Sequence, residues 1–171
     1  MDKSDILSII TEAAAEYSKL IGRSFCFESS LFLYQNRYVI YFDGSNFLHL
    51  TGVKTCLRAR EFYGKCLDKT LSVDDFDTTS PTDPNLMMHI EMKMKNIKNI
   101  EMLIKGRVNI EERYVRGKVR CVIATSNKKF TLCFTNGTYY DKDVLVPMSL
   151  LYGNMLHSRN IIKNIVAKEI L

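Results

Sequence analysis

The sequence predicts an α+β fold, with N-terminal and middle helices packed on a mainly antiparallel sheet and a C-terminal helix. Three observations lead there. Apolar residues through much of the first hundred positions recur at three- and four-residue spacing, the period of one helical face. Those between 118 and 151 alternate, the period of a half-buried strand. Helical runs also precede a strand meander instead of alternating with strands one by one. The 171 residues are 46% hydrophobic and 25% charged, average globular usage that sets wholesale disorder aside. One domain spanning 1–171 is expected: an N-terminal helix over 1–22, a core over 23–155 and a C-terminal helix over 156–171.

The elements follow in order. Ile6, Ile9, Ile10, Ala13, Tyr17, Leu20 and Ile21 make one helical face, with Asp2 or Ser4 as cap and Gly22 as stop. Phe25-Cys26-Phe27-Glu28 and Leu31-Phe32-Leu33-Tyr34 read as a strand pair around Ser29-Ser30. Arg37 to Phe42 is aromatic and β-branched, a strand broken by Asp43-Gly44. A second helix is expected from about Lys54 to Leu67, then a capped turn at Ser72–Asp75 and a loop over Asp77–Pro84. A third helix is expected from Asp83 or Asn85 to Gly106 and is rich in methionine, the adaptable packing residue. Lys118–Ala124, Phe130–Thr135 and Val144–Leu151 alternate as strands, and Asn136-Gly137 is a strong hairpin signal. Pro147 belongs at a strand end, an edge or a bulge. Asn160 to Leu171 is expected to be helical.

Several function classes fall away. No apolar run approaches the roughly 18 residues of a membrane-spanning helix, so no membrane partner is expected. Met1-Asp2-Lys3-Ser4-Asp5 lacks the basic start of a signal peptide. Five cysteines, none in C-x-x-C spacing, fit neither a zinc ribbon nor a disulfide framework. Cys26, Cys121 and Cys133 read as small buried hydrophobes in a reducing compartment, hence a cytoplasmic expectation. No phosphate-binding glycine loop, dinucleotide fingerprint, zinc-protease helix or serine elbow is present, and no metal or cofactor is expected. Lys and Arg number 24 against 19 Asp and Glu, a net +5 compatible with a nucleic-acid partner and equally with plain solubility.

The densest polar-aromatic segment is Tyr41 to Lys54, where His49 follows a strand end and Lys54, Arg58 and Arg60 come soon after. A histidine there can titrate near neutral pH, and the cations can hold a phosphate. The plainer reading is a satisfied histidine between Leu48 and Leu50. The runs Tyr38-Val39-Ile40-Tyr41-Phe42, Asn46-Phe47-Leu48-His49-Leu50-Thr51-Gly52, Phe62-Tyr63-x-x-Cys66-Leu67 and Leu71-Ser72 resemble the phage-encoded barnase/EndoU/colicin/RelE-like nucleases. More narrowly, they resemble a subgroup with an N-F-x-H-L-x-G signature, and Val144 to Leu151 resembles its closing strand.

The resemblance covers roughly 20 to 155. It implies a small α+β fold and a metal-independent ribonuclease that cleaves by 2′-hydroxyl attack. It makes His49 the general base or acid, Lys54 or Arg58 the phosphate-binding cation, and Ser149 the group that orients phosphate or 2′-hydroxyl. No second histidine is placed as complementary acid; Tyr41 and Tyr140 are the alternatives. A basic run holds Arg113, Arg116 and Arg120 with Tyr114 inside it. It would bind RNA phosphates while Tyr114 stacks on a base, unless it is simply a solvated face. The alternative function is a non-catalytic phage inhibitor of the same fold, docking on RNA or on a host nucleic-acid-processing complex such as a CRISPR effector. A toxin or effector module held in check by a partner fits the first reading.

Overall fold

In a computed structural model residues 1–170 are described, and they divide into two compact units. One unit comprises Met1–Ile21 with Asp43–Asn99; the other takes Gly22–Phe42 and the chain from Ile100 onward. The class is the expected mixture of helix and sheet.

The first unit is helical. Helix α1 (Lys3–Ser18) starts at a capping box in which the Asp2 carboxylate accepts from the Ser4 and Asp5 amides and Asp5 answers to the Asp2 amide. It buries Ile6, Ile10, Ala13, Ala14 and Tyr17, one face at helical spacing. A single 3-10 turn, Gly44–Asn46, leads into the short helix α2 (Phe47–Thr51), which Gly52 ends at φ 78°. Helix α3 (Ala59–Leu67) buries Phe62, Tyr63 and Cys66. The rings of Tyr17, Phe47, Phe62 and Tyr63 pack together, with centroids 5.2–6.4 Å apart.

The second expected helix is thus shorter than read. Thr55 Oγ1 donates to the Asp75 carbonyl and accepts from the Leu57 amide, and Lys54 pairs with Asp77 in an isolated bridge. Those bonds compete with a helical start, and Arg58 is still extended. The third expected helix is two: α4 (Leu86–Ile97) and α5 (Ile100–Lys105). Asn96 and Asn99 sit at the break, where asparagine side chains favour local backbone bonds over helix; Asn96 Nδ2 donates to the Met92 carbonyl.

The second unit is a closed barrel. Its strands are β1 (Ser24–Glu28), β2 (Arg37–Tyr41), β3 (Arg107–Arg116), β4 (Val119–Ser126), β5 (Phe130–Tyr139), β6 (Lys142–Tyr152) and β7 (Ile162–Ile170). Around the barrel they run β1-β2-β6-β5-β4-β3-β7, antiparallel except where β2 meets β6 at Ile40 and Leu145. Ile40, Ile110, Ile123, Leu132 and Leu150, from five different strands, are buried.

The C-terminal helix is corrected by β7, a strand. Ile162, Ile165 and Val166 satisfy a helical period, but they are also β-branched, and β3 and β1 each offer an edge. Strand β7 pairs with both, Val108 opposite Ile165 and Phe25 opposite Glu169, and so closes the barrel. Leu31–Tyr34 is a connection, because the Leu33 and Tyr34 amides are taken by the Glu112 carboxylate. Asn136-Gly137 lies inside β5. The hairpin turns at Tyr140-Asp141, both left-handed at φ 47° and 60°, as a tight two-residue turn demands. Tyr139 stacks on Tyr41 with centroids 3.9 Å apart, an anchor that extends β5 past the glycine. A register shift puts Cys133 opposite Ser149 and Phe134 opposite Pro147, so Pro147 sits beside a bulge.

Candidate active site

The barrel carries a small second core outside its main one. Tyr114, Ala124, Cys133 and Leu156 are buried there, with Val119, Cys121, Met148, Leu151, Met155 and Ile161 packed against them. Met155, Leu156 and Ile161 come from the connection between β6 and β7. Glu111 and Tyr114 both meet His157 on that connection, although they are three apart on β3. Strict alternation would send them to opposite faces. Between them Arg113 adopts φ 50° and has no partner on β4, and that kink returns both to one side.

Glu111 is 2% exposed. Its carboxylate accepts from the His157 amide (2.8 Å), from His157 Nδ1 (2.9 Å) and from Asn160 Nδ2 (3.2 Å). A buried carboxylate is tolerated when donors replace water in this way. Because a carboxylate only accepts, it is Nδ1 that donates in this contact, which turns Nε2 away from Glu111. The His157 side chain remains 38% exposed, so that nitrogen is within reach of solvent or a substrate. The geometry is the one that general acid–base chemistry needs: an imidazole fixed in one tautomer by a buried acid.

Asn160 links this pair to an open cleft of about 390 Å³, whose walls include Tyr34, Glu112, Arg113 and Arg159. Two arginines there supply positive charge. Burial pushes the Tyr114 hydroxyl up to about 12, and that hydroxyl donates to the Met155 carbonyl at 2.9 Å. Tyr114 is therefore buried as an anchor of the second core, with no ring face open to a base. Arg116 and Arg120 are exposed near the facing ends of β3 and β4. Ser149 lies half-buried on β6 opposite Cys133.

The other residues singled out from the sequence belong to the helical unit. His49 is exposed on α2, and among the described residues no hydrogen bond or ion pair holds its ring. Lys54 Nζ donates to Ser80 Oγ at 2.9 Å, and Arg58 is exposed ahead of α3. The cation nearest the end of α2 is a different one. Lys93 on α4 sets its ammonium over Gly52, where a Cβ would come within 3.1 Å of Nζ. Burial lowers its pKa, and Asp83 opposes that shift. His89 Nδ1 meets Asp83 at 2.7 Å, a more exposed pair than Glu111 and His157. Among the described residues no three His, Cys, Asp or Glu side chains form a group that could hold a metal ion, and no helix is long and apolar enough to cross a membrane.

Glu111, His157 and Asn160 are not among the site residues that the sequence predicts. The local signal is His157-Ser158-Arg159-Asn160, a histidine, an arginine and an asparagine within four residues, and it stands where the sequence predicts a C-terminal helix.

No curated protein and no solved structure matches the chain. A family profile does: that of the phage-Barnase-EndoU-ColicinE5/D-RelE like nuclease4 family matches residues 9–166, nearly the whole length. The chain, with its helical unit and its barrel bearing a fixed histidine, belongs to that nuclease-like family.

Proposed function

We propose that the protein is an endoribonuclease that cleaves RNA without a metal ion, with His157 as its acid–base group and Glu111 as the residue that positions it. The observation that carries this reading is the His157 ring bound through Nδ1 to a buried carboxylate beside an arginine-lined cleft. Nε2 takes the proton of a 2′-hydroxyl, and the oxygen attacks the adjacent phosphorus. Arg113 and Arg159 offset the charge that builds on the phosphate oxygens. The imidazolium, balanced by Glu111, returns the proton to the departing 5′-oxygen by way of solvent. The products are a 2′,3′-cyclic phosphate and a 5′-hydroxyl.

A second centre is supported by the exposed, unheld ring of His49 with Lys93 near the end of the same helix. On that reading His49 is the acid–base group, with Lys54 or Arg58 of the same unit as the cation.

The test is incubation of end-labelled RNA in EDTA with wild-type protein, His157→Ala and His49→Ala. The expected result is cyclic-phosphate product from wild type and His49→Ala, and none from His157→Ala. Loss with His49→Ala alone moves catalysis to the helical unit. RNA that wild type binds but leaves intact favours the inhibitor reading.

A further inference from the structure

We infer that Leu33, Tyr34 and Arg113 form a base-stacking subsite that selects single-stranded RNA by holding one unpaired nucleobase beside His157. The inference rests on the ribonuclease reading and names the form of its substrate.

Arg113 is the starting point. A left-handed φ, here 50°, is a strained conformation for a long side chain inside a strand. Here it also removes one residue from the pairing with β4. The kink sets the guanidinium over the Tyr34 ring, 3.6 Å from its centroid. Arginine on a tyrosine face is a cation–π stack; it puts positive charge on one side of the ring, and the half-exposed Tyr34 keeps surface for a second planar partner.

The loop that carries Tyr34 is held in place to serve it. The Glu112 carboxylate accepts from the Leu33 amide at 2.7 Å, from the Tyr34 amide at 3.2 Å and from the Tyr38 hydroxyl. One acid thereby fixes the backbone of a connection whose side chains stay in solvent: Leu33 is 81% and Tyr34 51% exposed. Its negative charge is also engaged by three donors at the rim of a cleft that must receive a polyanion.

A fixed aromatic and guanidinium surface in water matches the face of a nucleobase. Stacking of that kind accepts any base, but only one whose face is free, and a duplex keeps its bases covered. Arg159, on the same cleft, is available to the phosphate next to the stacked base. The volume of about 390 Å³ falls within the roughly 300–1,000 Å³ of ligand sites.

The experiment measures fluorescence anisotropy of a labelled 2′-O-methyl RNA, which lacks the attacking hydroxyl and is not cleaved. It is offered as a single strand and as a duplex to wild type, Tyr34→Ala, Tyr34→Phe and Arg113→Gly. Glycine adopts φ 50° freely, so Arg113→Gly keeps the kink and removes only the guanidinium. Tyr34→Ala and Arg113→Gly are each expected to weaken single-strand binding by about tenfold. Tyr34→Phe restores it, and duplex binding does not change with Tyr34→Ala. Unchanged single-strand binding by Tyr34→Ala, or an equal loss for both forms, overturns the subsite. Failure of wild type to cut ordinary RNA, with the Tyr34 dependence intact, overturns the catalytic reading and leaves the subsite standing.

Discussion

Glu111 holds its carboxylate among three donors and almost no water, and the role of His157 depends on it. Glu111→Gln removes the charge and turns an amide N–H₂ toward donors that need an acceptor. Leaving buried donors unmatched costs about 1–3 kcal/mol. On the proposed function, the protein is expected to stay folded by circular dichroism and to lose kcat by on the order of a hundredfold, with KM for RNA unchanged. A purely structural role would lower the melting temperature and spare kcat. These residues were illegible for a plain reason. Positions 111 and 157 are 46 apart and belong to no local pattern; only the kink at Arg113 and the course of the β6–β7 connection bring them together. His49 was legible because its signature is contiguous, and Tyr114 was legible as a residue but not as a buried one.

Elements were read best where the signal is local. The Asp2 capping box, the apolar face of α1 and the capped turn at Ser72 all depend on residues within one or two helical turns. Reading failed where a partner distant in sequence decides. Asn136-Gly137 is a turn signal in isolation, but the Tyr139–Tyr41 stack carries the strand past it. The C-terminal run is helical in period and became a strand because two barrel edges lay open to it. Gly44 is a case in which a missing side chain fixes an element. A Cβ there would come within 2.5 Å of Tyr63 Cδ1, against a ring locked among Tyr17 and Phe47. Gly44→Ala is expected to destabilise the protein by about 1–3 kcal/mol, read as a lower denaturation midpoint at unchanged slope.

At the scale of the whole molecule, each unit contains a tyrosine whose ionisation opposes folding. Burial pushes the Tyr63 hydroxyl up to about 12 in the helical unit and that of Tyr114 up to about 12 in the barrel. In the unfolded chain both titrate near 10.0. A folded value above the unfolded one means that the unfolded chain releases these protons first. The stability they contribute is complete below pH 10 and is lost as pH rises toward 12. Thermal melts followed by circular dichroism are expected to decline from about pH 9, where burial also keeps on the Cys66 thiol a proton that the unfolded chain releases, and to fall steeply above pH 10. Tyr114→Phe is expected to shallow that fall.

The most direct measurement of the central claim is the single-turnover rate on RNA in EDTA for wild type and His157→Ala. Removal of the acid–base group is expected to lower the rate by about 10²- to 10⁴-fold, with the fold retained by circular dichroism. A His157→Ala protein that cuts RNA at the wild-type rate contradicts the account.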